Sequence, residues 1–117
     1  MTERVAVGAV KALTDAATSL FEIALAAGAM TGGMIVATIE ASDGTNHHAF
    51  TQIITFAAVN KAGTYTTQVT VNASNDAKAV SSGTLSASWA LASGTNKVTM
   101  QVTPSGSLTE TTYRVTY

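Results

Sequence analysis

Leu85-Ser86-Ala87-Ser88-Trp89-Ala90-Leu91 and, after the turn-forming Ser93-Gly94-Thr95-Asn96, Val98-Thr99-Met100-Gln101-Val102-Thr103 set apolar side chains against polar ones at a period of two. Successive side chains of an extended strand point to opposite faces, so this pattern puts Leu85, Ala87, Trp89 and Leu91 on one face and Ser86 and Ser88 on the other. Val98, Met100 and Val102 oppose Thr99, Gln101 and Thr103 in the same way. Two strands with one dry and one wet face, joined by a glycine-containing turn, are the unit of an antiparallel sheet.

The same alternation spreads outward from this pair. Tyr65, Val69 and Val71 oppose Thr66, Gln68 and Thr70, and Tyr113, Val115 and Tyr117 oppose Thr112, Arg114 and Thr116. Towards the N-terminus Phe21, Ile23 and Leu25 oppose Glu22, and Ile35 and Ile39 oppose Thr38 and Glu40. Asp43-Gly44-Thr45-Asn46, Asn60-Lys61-Ala62-Gly63 and Pro104-Ser105-Gly106-Ser107 supply further turn chemistry. Residues 73–83 read as a long connection with room for one helical turn. The expectation is an all-β chain, a single antiparallel β-sandwich or jelly-roll-like domain over residues 19–117, with residues 1–18 as an N-terminal arm or edge strand. Phe21, Ile39, Ile54, Trp89, Val98 and Val115 are expected in its core.

Residues 52–59 are apolar on both faces, which suits a central strand or one covered by another subunit. Ile53, Phe56 and Val59 are therefore candidate interface residues, together with Val5, Val7 and Val10, which have no clear place in a sandwich. The run from Ile23 to Ile39 carries no charge and contains a small-xxx-small spacing at Gly28 and Gly32, as a short membrane helix would. Gly28, Gly32 and Gly33 would each cost a helix interior about 1 kcal/mol relative to alanine. A hairpin of residues 21–27 and 34–42 around a glycine-rich loop is expected instead, with no membrane partner.

The 117 residues have a net charge of −1, and only 11% of them are charged against 46% hydrophobic. Six basic residues give no field for phosphate contacts, which argues against a nucleic-acid partner. Without cysteine there are no disulfides and no thiolate chemistry. Threonine and serine take the place of charge, and such a surface can meet a neighbouring subunit without stranding ions. Met1-Thr2-Glu3-Arg4 is not a basic n-region, and no signal peptide is expected there.

Chemistry-bearing groups are sparse. His47 and His48 lie side by side near Asp43, a donor set that suits zinc, nickel or copper, but neighbours in an extended chain diverge. They are expected in a solvated loop, with no metal or other cofactor. No nucleophile elbow or Ser-x-x-Lys spacing is present. Glu22, Glu40 and Glu110 occupy positions facing away from the expected core and do not frame a cleft for glycoside hydrolysis. Asn72-Ala73-Ser74 matches a glycosylation acceptor. The expectation is no enzymatic activity.

Ser19-Leu20-Phe21-Glu22-Ile23-Ala24-Leu25, Ala37-Thr38-Ile39-Glu40-Ala41-Ser42-Asp43-Gly44-Thr45, residues 56–65, Ser82-Gly83-Thr84-Leu85 and residues 107–117 together resemble small structural proteins of tailed bacteriophages. The resemblance implies a virion component made in the host cytoplasm and placed on the capsid surface. Its expected role is that of a cement (decoration) protein that binds the major capsid protein as a homo-oligomer, with a trimer favoured. A tail-fibre or receptor-binding β module is the alternative; it calls for repeats and exposed aromatic platforms.

Overall fold

Alternation becomes strand along most of the chain. The computed structural model describes residues 10–13, 16–107 and 112–116. They form β1 (Val10–Leu13), β2 (Thr18–Ala24), β3 (Met30–Ser42), β4 (His47–Lys61), β5 (Thr64–Val71), β6 (Ala77–Val80), β7 (Leu85–Gly94), β8 (Lys97–Gly106) and β9 (Thr112–Thr116). A 3-10 turn at Ala73–Asn75 fills the room left for one helical turn in residues 73–83.

All pairings are antiparallel. One sheet runs β1-β9-β3-β4-β5, and β6 pairs with residues 48–51 of β4, on the side where β5 pairs with residues 54–61. The other sheet runs β2-β8-β7. Their inner faces meet in a core that includes Ile39, Phe50 and Ile54 of the larger sheet and Leu85, Trp89, Met100 and Val102 of the smaller. A second cluster of Leu25, Ala58 and Val98 extends it towards one end. The chain is thus an all-β domain of two antiparallel sheets packed face to face, as the alternation requires. Of the expected core residues, Ile39, Ile54, Trp89 and Val98 are buried, Phe21 is half-buried against the core, and the side chain of Val115 lies outside the described residues.

Four local expectations are corrected. Residues 21–27 and 34–42 do not form a hairpin: β2 pairs with β8 in the small sheet, and β3 pairs with β4 and β9 in the large one. Glycine misled the reading because Gly32 and Gly33 serve close packing inside β3, not a turn. A Cβ on Gly33 would stand 3.1 Å from the Phe56 ring, and one on Gly32 would stand 3.1 Å from the Phe56 carbonyl oxygen. Pro104 does not sit in a turn but inside β8, buried and opposite Ala87. β2 follows β8 only as far as Val102, so the strand has lost one neighbour where the prolyl nitrogen can donate nothing. His47 and His48 belong to β4, and the connection at residues 73–83 contains β6.

A bulge in β2 sends one more side chain inward. Ser19 faces Gln101 and Phe21 faces Met100, leaving Leu20 as the extra residue, and Leu20 is buried.

The β4–β5 hairpin closes on two residues, Ala62 and Gly63, both with positive φ (52° and 92°). This is the backbone of the tight turns that match strand twist, and alanine is a poor occupant of its first position. The left-handed region costs a residue with a Cβ about 1–2 kcal/mol, more than glycine loses in chain entropy. Ala62→Gly is therefore expected to raise stability by about 0.5–1 kcal/mol. A lower denaturation midpoint for that variant would contradict the turn geometry.

Candidate functional site

β4 runs through the middle of the large sheet and its two faces do different work. Inward lie His48, Phe50, Gln52, Ile54, Ala58 and Asn60, all buried. The three polar members each hold a segment that the sheets alone would not fix. His48 Nε2 lies 2.6 Å from the carbonyl oxygen of Ser82, which can only accept, so this nitrogen carries the proton. Nδ1 of the same ring is buried and finds no partner among the described residues. Gln52 Oε1 accepts the Trp89 indole N–H at 2.9 Å, a bond that crosses from one sheet to the other. Asn60 Nδ2 donates to the Leu25 carbonyl at 2.8 Å, while its Oδ1 accepts the Gly63 amide at 2.8 Å. Its backbone exchanges further bonds with Gly28 and Ala29.

Outward, β3, β4 and β5 present a face of another kind. Register places Met30 beside Val59, Gly32 beside Ala57, Met34 beside Thr55 and Val36 beside Ile53. Thr66, Gln68 and Thr70 continue these rows on β5. Met30 is 77% exposed, Met34 65%, Val36 53% and Val59 38%, the large apolar side chains most open to solvent among the described residues. Isolated exposed hydrophobics are ordinary, but these adjoin one another on a single sheet face. Residues 30–38, 51–59 and 64–70 contain no Asp, Glu, Lys, Arg or His. Thr38 and Thr51 close the lower end of the patch with a hydroxyl–hydroxyl bond of 2.8 Å.

The candidate interface residues are divided by this arrangement. Ile53 and Val59 lie on the exposed face. Phe56 has the opposite parity: it packs against the core, with its ring 6.3 Å from that of Phe21. Val10 is the first residue of β1, paired with Thr116, and its side chain lies outside the described residues, as do Val5 and Val7 altogether. Met30, Met34 and Val36 were not singled out by the sequence. The signal was present, since Thr38 and Glu40 set the parity of β3, but the glycines made its first part read as a loop.

The histidines do not converge with Asp43. Asp43 Oδ1 accepts the amides of Thr45 at 2.9 Å and Asn46 at 2.7 Å, closing the β3–β4 turn. The amides of Asn46 and Thr45 hold its carboxyl below the usual aspartate range. His47 points outward with Nδ1 3.0 Å from Ser42 Oγ, while His48 points into the core. Glu22 pairs with Lys97 at 2.8 Å on the surface, a contact of the kind worth about 0–1 kcal/mol. Glu40 lies on β3 opposite Arg114 of β9, and Glu110 is outside the described residues. Trp89 is spent on the core, and Tyr65 on accepting the Asn96 amide at 2.8 Å. Asn72 is exposed, with its Oδ1 accepting the Ser74 hydroxyl at 3.0 Å. No helix among the described residues is long and apolar enough to cross a membrane.

No protein-family model matches this chain, and no curated protein or solved structure is detectably similar to it.

Proposed function

We propose that this protein is a non-enzymatic structural component of a virus particle, a cement (decoration) protein that binds across subunits of the major capsid protein and stabilises the closed shell. The observation that supports this reading is the uncharged stretch of the outer face of β3, β4 and β5 between Glu40 and Lys61, with four exposed Met and Val side chains on a regular sheet. Such a surface is suited to assembly, whether with further copies of the chain or with the shell: its apolar centre gains from burial, and its threonine rim can be covered without stranding charge. The resemblance to tailed-phage structural proteins supplies the partner.

The mechanism needs no chemistry. A protein that binds only the assembled lattice stabilises it by mass action, and the effect grows with occupancy. An oligomer carrying several weak patches gains through effective concentration, so no single patch has to bind tightly. Val5 and Val7, ahead of β1, are proposed to add a second contact to the shell.

The test is co-sedimentation with cement-free expanded heads of the phage that encodes the chain, alongside binding to host cells. Saturable decoration that persists in about 1 M salt is expected, because little of the contact is ionic. DNA release from decorated heads should also shift to higher temperature. Binding to cells but not to heads would replace this reading with a receptor-binding module of the tail.

A further inference from the structure

The outer face of the large sheet has relief as well as composition. Gly32 and Ala57 lie side by side as a furrow, with Met30 and Val59 on one side and Met34 and Thr55 on the other. Gly32 has no side chain and Ala57 only a methyl, whereas Met30 and Met34 stand largely in solvent. An unbranched thioether chain adapts readily to such a furrow. Ridge and furrow on one surface are complementary to each other, so the face fits a second presentation of itself.

Charge selects the same occupant. A partner with an ordinary charged surface would bury ions against the outward-facing residues of 30–38, 51–59 and 64–70, none of which offers an ionic counterpart. An identical face meets its uncharged centre with neither repulsion nor stranded ions, since Glu40 and Lys61, which share its parity, lie beyond its two ends. Strand spacing of about 4.8 Å and a rise of about 3.3 Å per residue give the three strands a projected footprint of roughly 14 by 30 Å. Before side-chain relief is added, this is about half of the roughly 800 Å² that a standard interface takes from each partner, near the lower bound for a specific contact, and it is broader than a single extended peptide would cover.

We propose that the face formed by Met30, Met34, Val36, Ile53, Ala57 and Val59 is covered by another copy of this chain in a closed symmetric oligomer. The methionine ridge of each copy seats in the Gly32/Ala57 furrow of the other about a two-fold axis. This deepens the assembly reading by naming the self-contact surface, which leaves the remaining faces and the N-terminal segment for the shell.

Sedimentation equilibrium of the isolated full-length protein tests this without any capsid, so it can fail separately from the cement reading. The expected result is an oligomer at tens of micromolar that M34K and A57L each weaken at least tenfold, with folding checked by circular dichroism. A57L adds no charge and acts only by filling the furrow. E22Q, on the other sheet, should leave the mass unchanged. A monomeric wild-type protein would overturn the proposal, as would an oligomer indifferent to both variants. A monomer whose binding to heads is abolished by M34K would assign the face to the shell instead.

Discussion

Replacing Trp89 by alanine is expected to remove about 3–5 kcal/mol of stability, the cost of truncating a large buried aromatic side chain. Trp89 lies on β7 against residues of both sheets, and its indole N–H is bonded to Gln52 of β4. The variant therefore opens a cavity and also leaves a buried amide oxygen without its donor. For a domain of this size the melting temperature should fall by on the order of 10–20 °C. Trp89→Phe separates the two effects. It keeps most of the ring but not the donor, and an unmet buried acceptor costs about 1–3 kcal/mol. Combining it with Gln52→Leu should recover part of that loss, and the non-additivity of the pair measures the inter-sheet bond. Additive losses in urea titrations would mean that the bond contributes nothing.

The second large effect is expected at Asn60. Asn60→Asp keeps the shape and the acceptor for the Gly63 amide but turns the group facing the Leu25 carbonyl from donor to anion. At neutral pH the variant should lose about 2–4 kcal/mol, the range for a buried polar group set against the wrong partner. Burial and the facing carbonyl disfavour the charged carboxylate, so its folded pKa lies above the unfolded value of about 3.9. The penalty is then absent below about pH 4, where the protonated group can donate. It grows as pH rises through that value and levels off above the folded pKa. Denaturation midpoints of the variant and the wild type should converge on acidification. A constant gap from pH 7 to pH 4 would show that the Leu25 bond is not what Asn60 supplies.

The fold was legible wherever side chains alternate cleanly, and became hard to read where glycine and proline suggested turns. The sequence from Leu85 to Thr103 predicts β7 and β8 with their faces correctly assigned because burial alone dictates it: Leu85, Val98, Met100 and Val102 have nowhere else to go. The β3–β4 and β4–β5 turns follow from Asp43-Gly44 and Ala62-Gly63. Pairing was less accessible. Nothing local tells β2 to join β8 in preference to β3, since that choice is made by Leu25 entering the core with Ala58 and Val98. Gly32 and Gly33 looked like a loop because a missing side chain is the mark of a turn and also of a close approach. Only the Phe56 ring above Gly33 decides between them.

The candidate site was half legible. Ile53 and Val59 emerged from a segment apolar on both faces, and the parity of β3 held Met34 and Val36. Phe56 was grouped with them because a double-sided apolar segment does not announce which side is the core. Gln52 and Asn60 gave no signal at all, and His48 stood out only as a possible metal ligand: polar residues at every fourth or eighth position of a strand look like surface until their partners on distant segments are known.

That division of labour along β4 has an evolutionary consequence. Positions 48, 52, 54, 58 and 60 hold the architecture together, so exchange there is penalised whatever the protein binds. Positions 53, 55, 57 and 59, with 30, 34 and 36 across the sheet, hold no buried bond between the sheets, and their substitution leaves the scaffold standing. One strand thus carries an inherited record on one side and a blank page on the other. A lineage built on this domain can drift to a new partner by altering alternate residues, without passing through an unfolded ancestor.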